Sequence, residues 1–188
     1  TGVAGLIGAR INDYGINGFA PKASIFALRA CRQISKGSPI GECYSNAMTK
    51  ALDDAIQRDA NIVNMSLGAM VEDDLLYQLI SKGAEKGILF VAPVGNRPGM
   101  KKISFPASHP QVIAVAGLMN DGSYYPDTTM GLKADICAPC KNLLTTVPGN
   151  DHNFLSGTSM SSSVISGLLA LSVEADPSFD LKDLQKFN

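Results

Sequence analysis

Three short segments carry side chains whose type and placement suit acyl-transfer chemistry. Gly157-Thr158-Ser159 opens a long apolar helical pattern running from Thr158 to about Val173. A serine hydroxyl at such a mouth lies beside free backbone N–H groups and the positive end of the helix dipole. Both would stabilise an oxyanion forming next to it. Gly95-Asn96 closes ILFVAPVGN and offers a side-chain amide as a second donor. Ser66-Leu67-Gly68 closes NIVNMSLG, another polar end to an apolar run. Taken singly, each has an ordinary structural use: Ser and Thr cap helices, and Asn occupies turns.

The cysteines suggest other chemistry. Cys137 and Cys140 form C-x-x-C, a spacing used by redox and metal sites. A zinc site wants further ligands, and the chain has only two histidines. Packing as a small hydrophobe and a loop thiol is therefore the preferred reading, and a thiol redox module lacks any thioredoxin-like context. Cys31 and Cys43 flank a polar segment containing Gly and Pro. Such a pair would staple a surface loop in an oxidising compartment.

The elements that must position these groups alternate in type. Ser24–Ala30, Asn61–Leu67, Ile88–Pro93, Val112–Gly117 and Ala134–Ala138 read as strands, the third nearly all apolar. Tyr44–Asp59 reads as a helix, because Met48, Ala51, Leu52, Ala55 and Ile56 share one face. A second helix begins near Glu72, where Glu72, Asp73 and Asp74 suit the dipole, and Gly87 is its stop signal. Alternating strands and helices with continuous apolar strands predict an α/β fold with a largely parallel sheet flanked by helices. Active groups in such sheets gather at the carboxyl ends of strands.

Length and composition fit this. The 188 residues suit one domain, 45% of them are apolar, and the formal net charge is −1. No run of one charge sign asks for nucleic acid or an anionic membrane. No apolar stretch approaches the ~20 residues of a membrane span. TGVAGLIGAR is too short, with the wrong flanks, for a signal peptide.

Seven segments in order resemble subtilisin-type serine peptidases. TGVAGLIGA resembles the segment after the family's catalytic His-Gly, and GFAPKASIFALRA its G-x-A-P-x-A-x-L-x-A strand. NIVNMSLG, VAPVGN, FPASHPQVIAVAG and DICAPCKNLLTTVPG each resemble a family segment, and LSGTSMSSSVISGLLAL resembles the serine signature. The resemblance implies a three-layer subtilisin-like fold missing its N-terminal strands, with residues 1–188 as a partial peptidase domain. It implies an endopeptidase with Ser159 as nucleophile and Asn96 as oxyanion donor. Ser66, Leu67 and Gly68 would form one wall of the specificity pocket, Ala92, Pro93 and Val94 the other, and Ser104 its floor. The substrate would be a peptide or protein, bound as an added β-strand.

The chain also departs from that pattern. A serine needs a base and an orienting acid. Here the family's histidine would fall just before Thr1 and its aspartate further upstream. His109 and His152 are expected to be solvated loop residues. The chain is therefore expected to be a fragment, inactive alone, with Thr1 inside a helix. The rival reading is a pseudoprotease that binds peptides without chemistry. The family strand expected between Ser24–Ala30 and Asn61–Leu67 is missing, so a cleaved upstream piece or a second copy is an expected partner. Ser161, Ser162 and Ser163 stand where the family has small apolar residues and a proline, and Cys140 where it has glycine. No cofactor is required. Calcium is the family's one candidate, at Arg10, Asn12, Tyr14 and Ile16 of RINDYGING, where a surface turn is the simpler reading. Bridged Cys31 and Cys43, with the family's habits, imply an extracellular or periplasmic protein.

Overall fold

The computed structural model describes residues 1–35, 41–129 and 134–184. Its elements in chain order are α1 (Gly2–Gly8), β1 (Cys31–Gln33), β2 (Gly41–Cys43), α2 (Ser45–Gln57), β3 (Ile62–Asn64), α3 (Asp74–Glu85), β4 (Leu89–Pro93) and β5 (Val112–Leu118). They continue with β6 (Ile136–Pro139), β7 (Leu143–Val147), β8 (Asp151–Leu155), α4 (Thr158–Ala175) and α5 (Leu181–Leu184). Strands β3-β4-β5-β6 form a parallel sheet in that spatial order.

Alternation along the central strands builds three layers. Phe90, Ala92 and Val94 share a core with Ala114 and Ala116 of β5, Leu52 and Ile56 of α2, and Leu76 and Ile80 of α3. Leu89 and Val91 point the other way, joining Ile113, Val115 and Ala138 to Val164, Ile165 and Leu169 of α4. Both faces of β4 and β5 are thus covered, which is why their sequences are almost purely apolar. The expected α/β architecture, helices flanking a parallel sheet, is the one observed.

Helix α3 shows how its start is fixed. Asp73 is the N-cap, and its carboxylate accepts from the N–H groups of Leu75 at 3.1 Å and Leu76 at 3.0 Å. The Ser45 hydroxyl at the head of α2 also donates to it, tying the two helices together. Ser45 foremost, then the Leu76 and Leu75 N–H groups, holds the Asp73 carboxyl below its ordinary 3.8. Stabilisation from a depressed acid is present above the unfolded value and lost as pH falls through the folded one. Asp73→Ala is expected to cost about 1 kcal/mol at neutral pH. Urea titrations should show that difference shrinking once the pH falls below 3.8. Gly87, with φ of +90°, lies just beyond the C-cap residue Lys86.

The cysteine pair expected to bridge does so. Cys31 and Cys43 are opposite residues of the antiparallel β1–β2 hairpin and form a disulfide across a separation of 12 residues. Closing a loop of that size restricts the unfolded chain by up to about 3 kcal/mol on the chain-entropy account. Urea unfolding of a Cys31→Ser, Cys43→Ser double variant is expected to lose stability within that bound.

Three expectations need correction. Ser24–Ala30 forms no strand: nothing pairs with it in a ladder among the described residues, and Ile25, Phe26 and Leu28 are exposed. A strand exists by its hydrogen-bonded neighbour, and β-rich sequence cannot supply one. His109 is not solvated; it is 2% exposed, with its ring 4.1 Å from that of Tyr77. Its Nδ1 accepts from the Gln111 N–H at 3.0 Å, so Nε2 carries the proton and donates to the Ser81 hydroxyl at 3.2 Å. His152, expected in a loop, lies instead on β8 of the β7–β8 hairpin.

Candidate active site

The mouth of α4 is assembled by three backbone and side-chain ties. Gly157, its N-cap, has φ of +129°, a conformation side chains rarely adopt. Its N–H donates to the Cys140 carbonyl at 2.9 Å, fastening the turn to the end of β6. A Cβ at Gly157 would lie 3.1 Å from Asn96 Nδ2, so the amide lies directly against this turn.

Asn96 makes the other two. Its Oδ1 accepts from the Thr158 N–H at 2.8 Å and from the Thr158 hydroxyl at 3.0 Å. A backbone N–H can only donate, so the amide oxygen must be the atom facing it. Nδ2 thereby keeps both its hydrogens, lies against the Gly157 turn and has no partner among the described residues. Ser159 is the next residue, half-buried, and its hydroxyl is likewise without a hydrogen-bond partner among the described residues. The serine hydroxyl and the carboxamide expected to converge therefore sit around one helix mouth.

Ser66 joins them. It follows β3 at the same carboxyl edge of the sheet from which Asn96 follows β4. The Ser66 and Ser162 hydroxyls are 3.1 Å apart, tying this strand end to the first turn of α4. Ala69 and Phe105 exchange N–H···O bonds of 2.7 and 2.9 Å. That pairing sets Ser104 against two glycines. A Cβ on Gly68 would meet Ser104 Cβ at 2.9 Å, and one on Gly95 would meet its hydroxyl at 3.5 Å. Ser104 thus lies between segment 66–68 and segment 92–95. Ala92 and Val94 are fully buried, with their side chains in the core.

The remaining candidates lie elsewhere. His109 is packed on α3, and His152, on β8, meets the Tyr14 ring edge-on at 5.3 Å. Neither bonds Ser159. Asn12 Oδ1 accepts from the Tyr14 N–H at 3.3 Å, the bond of a surface turn. Among the described residues no group of three or more His, Cys, Asp or Glu could hold a metal. Cys137 and Cys140 are both free. Cys137 packs with the α2–α3 core and Cys140, three residues on, falls on the other face. Burial foremost pushes the Cys140 thiol up, against thiolate chemistry. Cys140, where the family has glycine, is not among the residues with positive φ, so its backbone carries no left-handed strain.

Sequence alone does not reveal what Cys140 and Thr158 do here: a backbone carbonyl and a capping threonine hold the turn. Nor does it reveal that Ser162, Ser163 and Ser166 donate into the site's own framework, Ser163 to the Ser159 carbonyl at 2.7 Å.

The family model described as "Subtilase family" matches residues 1–187. The chain is 33% identical over 177 residues to the minor extracellular protease Epr of Bacillus subtilis, covering 94% of this chain and 26% of that protein. It is 32% identical over 179 residues to a thermostable alkaline protease of Halalkalibacterium halodurans, covering 95% and 48%. The solved structure of sphericase superposes with a TM-score of 0.84 at 26% identity, over 99% of this chain and 66% of that one. The chain thus spans between about a quarter and two-thirds of these proteins.

Proposed function

Because the chain belongs to the subtilase family, we propose that it forms the serine-bearing part of a serine endopeptidase, with Ser159 as nucleophile and Asn96 as oxyanion donor. The observation that supports this best is the orientation of Asn96, whose oxygen is occupied by Thr158 while its amine is left to donate beside Ser159.

In the proposed reaction the Ser159 oxygen bonds to the scissile carbonyl carbon as a base takes its proton. The carbonyl electron pair moves onto oxygen, and the Asn96 amine and helix-mouth N–H groups receive that charge. Collapse expels the amine, which takes the proton from the base, and leaves an acyl-serine that water hydrolyses by the reverse sequence. A peptide lying along segment 66–68 would bind as an added strand. One pocket wall would be Ser66, Leu67 and Gly68, the other the segment Ala92, Pro93 and Val94, and the floor Ser104. The reading needs no cofactor; a calcium ion at the Arg10–Ile16 turn would serve stability only.

The base is proposed to come from outside these residues, since both histidines are engaged elsewhere. TGVAGLIGA, which forms α1, matches the segment that follows the family's His-Gly, so a histidine and glycine are expected before Thr1 in the parent protein, and an aspartate further upstream. A groove of about 1240 Å³ runs between segment 24–30 and β3. Ile25, Leu28, Leu52 and Ile62 line it, and it reaches Ser66. An extended upstream segment is the proposed occupant. Native mass spectrometry of residues 1–188 mixed with that segment is expected to show a one-to-one complex. A dimer of the chain alone would assign the groove to a second copy instead.

The disulfide and the extracellular relative support an extracellular setting. The rival reading is a peptide-binding domain without chemistry. Fluorophosphonate labelling of the full-length protein decides between them. Covalent capture at Ser159 is expected, and a protein that never labels would be the pseudoprotease.

A further inference from the structure

Helix α4 carries four buried serines, Ser161, Ser162, Ser163 and Ser166. Buried hydroxyls are costly unless satisfied, and these are. Ser161 donates to the Ala138 carbonyl at 2.9 Å, fixing α4 to β6. Ser162 and Ser166 turn toward β3, where Asn64 stands half-buried.

Counting hydrogens gives this cluster a direction. Ser162 has one hydroxyl hydrogen, and it donates to the Ser159 carbonyl at 3.0 Å. In the 3.1 Å contact between the Ser66 and Ser162 hydroxyls, Ser66 must therefore be the donor. Ser66 in turn accepts from Asn64 Nδ2 at 2.8 Å. The Ser166 hydroxyl reaches Asn64 Oδ1 at 3.1 Å and the Ser162 carbonyl at 2.8 Å. Flipping the Asn64 amide would turn the Ser66 hydrogen toward Asn64 and leave none between Ser66 and Ser162. The observed orientation keeps a hydrogen between Ser66 and Ser162, with the single Ser166 hydrogen shared between the Ser162 carbonyl and Asn64 Oδ1.

We propose that Ser162 and Ser166 are positioning residues: with Asn64 and Ser66 they form a one-way hydrogen-bond chain that ends on the Ser159 carbonyl and holds that turn at a fixed distance from segment 66–68. The proposal rests on the reading of Ser159 as nucleophile. Each bond in the chain polarises the next. The chain joins the two sides of the cleft, the strand end proposed to bind substrate and the turn proposed to attack it. Displacing a reacting atom by about 1 Å costs on the order of a hundredfold in rate, so a tie between those two sides is where position matters most.

The test is a double-mutant cycle on the rate of fluorophosphonate labelling in the full-length protein, at a temperature where every variant is folded. Ser162→Ala and Ser66→Ala should each label roughly tenfold to a hundredfold more slowly than wild type. The double variant should lose no more than the slower single one, because either change breaks the same chain. The exposed helix serine variant Ser172→Ala should label at the wild-type rate. Ser162→Ala labelling at the wild-type rate, with only its Tm lowered, would make the cluster merely structural and overturn the proposal. So would losses that multiply in the double variant. Should Ser162→Ala fail to fold, Ser166→Ala, which removes the hydroxyl donor to Asn64 Oδ1, takes its place: slowed labelling supports the chain, and wild-type labelling overturns it. A wild-type protein that never labels would instead overturn the nucleophile reading and this proposal with it.

Discussion

Ser159→Ala is expected to abolish fluorophosphonate labelling and to cut peptide hydrolysis by the full-length protein on the order of 10⁶-fold, the size of loss that removing this serine causes in subtilisin itself. A residual rate well above that of water should survive, since the donors around the helix mouth remain. Folding should hardly notice. The Ser159 hydroxyl bonds nothing among the described residues, while the ties that close the turn run through Gly157, Thr158 and Asn96. The change in urea stability should stay within about 0.5 kcal/mol, as for a substitution that breaks no contact. Activity and stability measured on the same preparation check both halves. A variant that kept hydrolysing would show that another group is the nucleophile.

How much of this is legible in the sequence depends on what each residue's neighbours are. The central strands and α2, α3 and α4 can be read because their periodicity is a local record of two-sided or one-sided burial. Ser24–Ala30 has the same kind of record, yet it forms no strand, because pairing is decided by a neighbour that lies outside the residue pattern. His109 misleads for a similar reason. Loop residues are usually wet, and only the arrival of Tyr77 and Ser81 from α3 makes this one buried. The β7–β8 hairpin has a visible signal, since Pro148-Gly149-Asn150 separates two runs of strand-forming residues. At the site, the meeting of Asn96 with the Ser159 turn follows from strand ends and a helix start. The bond from Thr158 that orients the amide does not, because a threonine after Gly157 reads simply as part of the helix.

That bond makes Asn96 a residue with two separable duties. Its oxygen caps α4, and its amine is the proposed oxyanion donor. Asn96→Leu removes both. It should cost about 1 kcal/mol of stability, the usual loss when a helix cap is deleted. It should also lower kcat by about 10²–10³ with little change in KM, a range measured on the equivalent residue of subtilisin. Asn96→Asp separates the duties. Its carboxylate still accepts from the Thr158 N–H and hydroxyl, and a negative charge at a helix N-terminus is favourable, so stability should be kept or raised. The donor, however, is replaced by an acceptor whose charge repels the developing oxyanion, so kcat should fall at least as far as in the leucine variant. The two substitutions are thus expected to rank oppositely in stability and alike in inactivity. Urea titrations and steady-state kinetics on both variants read the two rankings. If Asn96→Asp were stable and fully active, the amine would have no part in catalysis, and Asn96 would be a helix cap alone.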